Sequence, residues 1–126
     1  MKKLLTLTLA GLALALPATA MASLVVFTHV GSNVSSRVAK GDCVTRKVSL
    51  TGSLVMRCDG STGYAIARYD FRMPDSWSGT ASPSVDALGD PSYSLVKLDD
   101  THVRVILRIS GPSKVIVSSV SVGFSS

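Results

Sequence analysis

Residues 64–73 read YAIARYDFRM and residues 102–110 read HVRVILRIS. In the first run Ala65, Ala67, Tyr69, Phe71 and Met73 alternate with Tyr64, Ile66, Arg68, Asp70 and Arg72. In the second, Val103, Val105, Leu107 and Ile109 alternate with His102, Arg104, Ile106 and Arg108. Successive side chains of a strand point to opposite faces, so a period of two sends each apolar set to a core and each arginine-bearing set outward. A helix would scatter both sets around its circumference. No stretch after residue 22 shows the 3.6-residue period of an amphipathic helix. The composition agrees: the chain has no Glu, no Gln and one Asn, and is dense in Val, Ser and Thr. Good helix formers are missing where β-branched residues abound.

Further strand-like runs follow the same rule, separated by turn signals. Residues 24–30 (LVVFTHV) are apolar and β-branched, and 34–38 form a weaker candidate. Residues 44–50 and 54–58 flank Thr51-Gly52-Ser53, a hairpin turn in which Gly52 can take positive φ. The cluster Asp59-Gly60-Ser61-Thr62-Gly63 reads as a turn before the run 64–73. Residues 92–98 and 102–110 are joined by Asp99-Asp100-Thr101, and Gly111-Pro112-Ser113 leads into 114–124. That last run is apolar on both faces in part, through Ile116, Val120, Val122 and Phe124 against Val115 and Val117, as expected of a central strand or of one covered by another element. Residues 74–91 read as a long connection with a short apolar piece at 85–88. Seven to nine short strands joined by tight turns predict an all-β, single-domain antiparallel β-sandwich, immunoglobulin-like or jelly-roll.

The chain opens MKKLLTLTLAGLALALPATAMA, with Lys2 and Lys3 ahead of an apolar run from Leu4 to Leu16, a proline at 17 and a small-x-small site at Ala20-Met21-Ala22. This pattern is expected to be a secretory signal peptide over residues 1–22, of bacterial type, cleaved near Ala22, leaving a domain over residues 23–126. No later run is long and apolar enough to span a membrane, so a secreted or periplasmic protein is expected. Export places Cys43 and Cys58, the only cysteines, in an oxidising compartment, and a disulfide between them is expected. Two cysteines cannot complete a four-ligand zinc site, and His29 and His102 lack ligand-like spacing to them, so no metal and no cofactor are expected.

Three features invite a functional reading. If the two alternating strands share a sheet, Arg68, Arg72, Arg104 and Arg108 share its outer surface, where guanidinium forks suit carboxylates or phosphates. The plainer reading is a solvated face of cross-strand charge pairs. Trp77, the single tryptophan, lies in the long connection, where it would stack on a sugar or simply cap one end of the fold. Asp99, Asp100 and His102 suggest an acid–histidine pair, but Asp-Asp-Thr is also ordinary turn chemistry, and no G-x-S-x-G nucleophile motif is present.

General acid–base catalysis needs convergent titratable groups, and this chain has few. The expectation is therefore an exported, non-enzymatic binding or envelope-structural protein acting through a sheet surface. Its partners would be another envelope or surface protein, an anionic polymer or a glycan. No nucleic acid is expected, since removing Lys2 and Lys3 leaves 11 basic against 8 acidic residues. A monomer is favoured, with self-assembly as the variant. The rivals are a small secreted hydrolase using Asp99, Asp100 and His102, and a fibre subunit donating its N-terminal segment, residues 23–30, as a strand to a neighbour.

Overall fold

The computed structural model describes residues 24–74 and 79–125; the expected leader and Trp77 lie outside them. Seven strands form one hydrogen-bonded antiparallel sheet, with no helix among the described residues: β1 Leu24–Val30, β2 Ser36–Val48, β3 Ser53–Arg72, β4 Thr80–Leu88, β5 Ser92–Lys97, β6 His102–Ser110 and β7 Ser113–Ser125. β3 and β7 organise the rest. β3 pairs with β2 along most of its length, with β7 over residues 54–58, and with β6 over residues 64–72. β7 pairs with β4 on one side and with β3 and then β1 on the other. β5 pairs only with β6.

Each long strand changes partner where its inward face would otherwise be lost. In β3 the buried residues are Leu54, Met56 and Cys58, then Ala65, Ala67, Tyr69 and Phe71. The even-to-odd switch falls at residues 59–63, where Gly41 opposes Gly63 and Cys43 opposes Cys58. The loop expected at 59–63 is thus a corner inside one strand. Gly63 sits there at φ 95°, and a Cβ on it would collide with the Lys40 carbonyl, so only glycine fits.

β7 makes the same correction with one residue. Ala87 opposes Val117 while Asp86 opposes Ser119, so Ser118 is an extra residue in a bulge. Val115 and Val117 therefore share a face with Val120, Val122 and Phe124, and all five are buried. This corrects the two-faced reading of 114–124: β7 is a central strand with one core face.

Two further expectations are revised. Residues 34–38 and 44–50 belong largely to one strand, β2, and residues 80–88 of the expected long connection form β4. That strand was hidden because its inward residues are Ala81, Pro83, Val85 and Ala87, too small and too broken by proline to give a strong alternation. Proline is tolerated because β4 pairs only with β7.

The disulfide joins Cys43 and Cys58, which are directly paired residues of β2 and β3 beside the corner. It closes the hairpin whose turn holds Gly52 at φ 70°. Replacing both cysteines by Ala is expected to cost about 2–4 kcal/mol in reversible denaturant unfolding, since the cross-link limits the unfolded chain and both sulfurs are buried. An unchanged midpoint would contradict this.

Candidate functional site

The arginine-bearing runs do lie side by side. β3 and β6 pair so that Asp70 opposes Arg104, Arg68 opposes Ile106, Ile66 opposes Arg108 and Arg72 opposes His102. Arg68, Arg72, Arg104 and Arg108 therefore share one outer face, and Lys40 of β2, opposite Tyr64, joins them. Arg72 and Arg108 are exposed, whereas Arg68 and Arg104 are half-buried. Two of the four are engaged within the protein. Arg104 donates to both oxygens of Asp70, at 2.6 and 3.0 Å, and the Arg108 guanidinium lies 4.4 Å from the centre of the Tyr64 ring. The Arg104 hydrogen bond holds the Asp70 carboxyl below its usual range.

The Asp99–His102 group is a turn. Asp99 Oδ1 accepts from the Thr101 backbone N–H at 2.8 Å and from Thr101 Oγ1 at 3.0 Å, with His102 Nδ1 at 3.2 Å. The Thr101 hydrogen bonds pull the Asp99 carboxyl down to about 2. Asp100 points instead to Lys97, 3.9 Å away. Among the described residues no three of His, Cys, Asp and Glu gather in a metal-binding group.

A different site emerges where β1 meets the far end of β3. Tyr69 Oη, buried, donates to the Gly31 carbonyl at 2.6 Å, and burial pushes the phenol pKa up. Gly31 N–H donates to the carbonyl of the bulged Ser118 at 2.8 Å, and a Cβ on Gly31 would strike the Val117 carbonyl. These contacts anchor the C-terminal end of β1. One residue earlier than Val30, the His29 ring stacks on Phe71 at 4.5 Å, and its Nε2 is 2.9 Å from the Asp70 carbonyl oxygen. Beyond His29 the two strands diverge. They leave an open cleft of about 510 Å³ lined by Phe27, Thr28, His29 and residues 70–74.

The strand bordering this cleft is unusually bare. Val25, Phe27 and His29 of β1 oppose the buried Phe124, Val122 and Val120, so they face inward, yet Val25 is 37% and Phe27 41% exposed. On the outer face Leu24, Val26 and Val30 are 68%, 54% and 53% exposed. Beside them the outward residues of β7 and β4 are Ser119, Ser121, Gly123, Ser125, Thr80, Ser82 and Ser84, with Asp86 as the single charge. The outer surface thus has cationic patches, on β3 and β6 and around Arg46, Arg57 and Lys114, and a neutral patch on β4 and the C-terminal half of β7, of which β1 is the apolar rim.

Among the described residues, four strands have one edge without a paired neighbour: β1, β2, β4 and β5. β2 carries Arg37, Lys40, Asp42, Arg46 and Lys47; β4 carries Pro83 and Asp86; β5 is six residues long and ends in Lys97. Charges and prolines are among the devices that stop sheets from growing edge to edge. β1 has none of them. Sequence reasoning marked residues 24–30 as a strand but missed the cleft, because Phe27 and Phe71 are brought together by pairings that are distant in sequence. The available signal was that no charged residue occurs from Leu4 to Ser36.

No protein-family model, no curated protein and no solved structure matches the chain. The site therefore rests on its own geometry.

Asp70 and Asp99 make stability depend on pH in a defined direction. Their folded-state carboxyls lie below the unfolded value of about 3.9, so their stabilisation is present above about pH 4 and is lost as pH falls toward 2. The Asp70–Arg104 pair, about one-third exposed on each side, is worth about 1 kcal/mol at neutral pH. Asp70→Asn and Asp99→Asn are each expected to lower Tm at pH 6, with the gap to wild type narrowing below pH 4. A gap that stays constant from pH 6 to pH 2 would show that neither carboxylate acts as described.

Proposed function

We propose that this is an exported, non-enzymatic binding or envelope-structural protein in which the curled sheet forms a β-sandwich and β1 is the edge that receives another extended chain. The observation that carries the reading is the contrast among the four free edges. Three bear charge or proline, and the fourth has no Lys, Arg, Asp, Glu or Pro, is largely apolar and is bordered by an open cleft. Strand addition takes its affinity from main-chain hydrogen bonds and its selectivity from the pockets beside them. Here the backbone of β1 supplies the hydrogen bonds. Phe27, Phe71 and Met73 supply an apolar wall of the cleft, and His29 closes its inner end. The same reading accounts for an apolar strand retained directly behind an expected cleavage site, where an unoccupied edge is an aggregation hazard.

The cationic face favours a second, compatible role. Lys40, Arg68, Arg72, Arg104 and Arg108 stand against Asp70 alone, an excess of four positive charges on one surface. Such a face attracts an anionic polymer, and that attraction weakens with salt because exposed charges are screened over about 8 Å at physiological ionic strength.

The strand-addition reading is tested with a synthetic strand peptide of uncharged, alternating Val and Thr residues, kept soluble by terminal lysines. It is expected to bind the oxidised protein and to slow hydrogen exchange in β1 and in residues 70–74. The same peptide N-methylated at alternate residues, so that one edge cannot donate, is expected not to bind. Equal binding of both peptides would mean that main-chain pairing is not involved.

A further inference from the structure

We infer that the strand received at β1 is β1 of a second copy, paired antiparallel about a two-fold axis at Phe27. This rests on the reading of β1 as an open edge and names its occupant. Three observations select a second copy.

Charge is the first. All eleven basic residues outside the expected leader lie in β2, β3, β5, β6 and β7, so two copies of this basic chain repel one another over most of their surfaces. β1 contributes no charge, and its neighbours on that face are serines, a threonine and a glycine apart from Asp86. It is the edge at which like-charge repulsion between copies is least.

Register is the second. A two-fold axis that keeps the inner faces of both copies on one side pairs residues whose numbers sum to an even value. Centring on Phe27, the middle of the seven-residue strand, keeps every residue paired. The pairs are then Leu24 with Val30, Val25 with His29, Val26 with Thr28, and Phe27 with itself. Each joins an apolar, β-branched or aromatic residue to a similar one or to the His29 ring, which are favourable cross-strand partners. No other antiparallel register of this strand retains all seven pairs.

Exposure is the third. Leu24, Val26 and Val30 stand out from the sheet more than half exposed, with Val30 flanked by the turn at Gly52, and self-pairing sets them against one another. The interface is small. Two seven-residue edges fall short of the roughly 1,600 Å² buried in a standard stable complex, so the dimer is reversible and depends on concentration.

The test is sedimentation equilibrium of the oxidised protein from about 1 µM to about 1 mM, a range suited to weak association. Wild type is expected to pass from monomer to dimer within it, without higher oligomers. The double variant Val26→Lys/Thr28→Lys places lysines opposite one another twice in this register and is expected to remain monomeric. Val26→Lys/Thr28→Asp places Lys opposite Asp twice and is expected to dimerise at least as well as wild type. Both sites are on the exposed outer face, and matching circular dichroism and Tm show that the monomer is intact. A dimer formed equally by both double variants, or wild type monomeric up to 1 mM, overturns the proposal. If wild type stays monomeric yet binds the strand peptide, the open edge stands and only self-pairing is lost; if it also ignores the peptide, both readings fall.

Discussion

Everything in this fold depends on keeping one apolar face continuous across strands too long to do so by simple alternation. A period-two strand buries alternate residues as long as its neighbours stay in register. β3 and β7 pass from one set of neighbours to another, and each would turn its core residues outward at the change. β3 absorbs the mismatch in a corner at 59–63, where two glycines face each other and the disulfide ties the hairpin beside it. β7 absorbs it with the single bulged residue Ser118. The result is one core, from Leu54 and Met56 through Tyr69 and Leu107 to Val122 and Phe124.

The bulge also determines where the sheet is left open. Ser118 turns its carbonyl toward Gly31, and Tyr69 holds Gly31 from the other side, so the chain is clamped where β1 ends. β1 then runs out along β7, held among the described residues also by a T-shaped contact from Phe27 to Phe124, the Thr28–Ser121 hydroxyl pair, and His29 on Phe71. A strand anchored at one end and paired along β7, with its outer edge unpaired among the described residues, is a better acceptor than a free segment, because the backbone groups to be paired are already aligned and less conformational entropy is lost on pairing.

Much of this was legible in the sequence, for local reasons. The alternation in 64–73 and 102–110 specified both strands and the arginine face, because period-two patterning needs only neighbouring residues to read. Residues 24–30 were recognised to the residue, and the disulfide followed from two cysteines in an expected oxidising compartment. The failures were equally physical. β4 escaped because Ala81, Pro83 and Ala87 are too small or too unusual to mark a buried face. β7 looked two-faced because a bulge shifts the period by one, and nothing in VSSV announces which residue is extra. The cleft was out of reach, since it exists only once β1 and the end of β3 are folded against each other, 41 residues apart at the His29–Asp70 contact. What sequence did carry was the uncharged stretch through residue 36, whose meaning appears only beside the charged and proline-bearing edges of β2, β4 and β5.

The central claim is that β1 alone among the edges is open and competent to pair. Residue-resolved amide hydrogen exchange on the oxidised protein, repeated at low and high concentration, tests it directly. At low concentration the β1 amides that point away from β7 should exchange fast while those that point toward β7 are protected. At high concentration the fast set should slow, and the edge amides of β2, β4 and β5 should not change. Protection of every β1 amide at low concentration would show that the edge is already covered by the protein's own chain. Equal slowing at all four edges would show that β1 has no special standing.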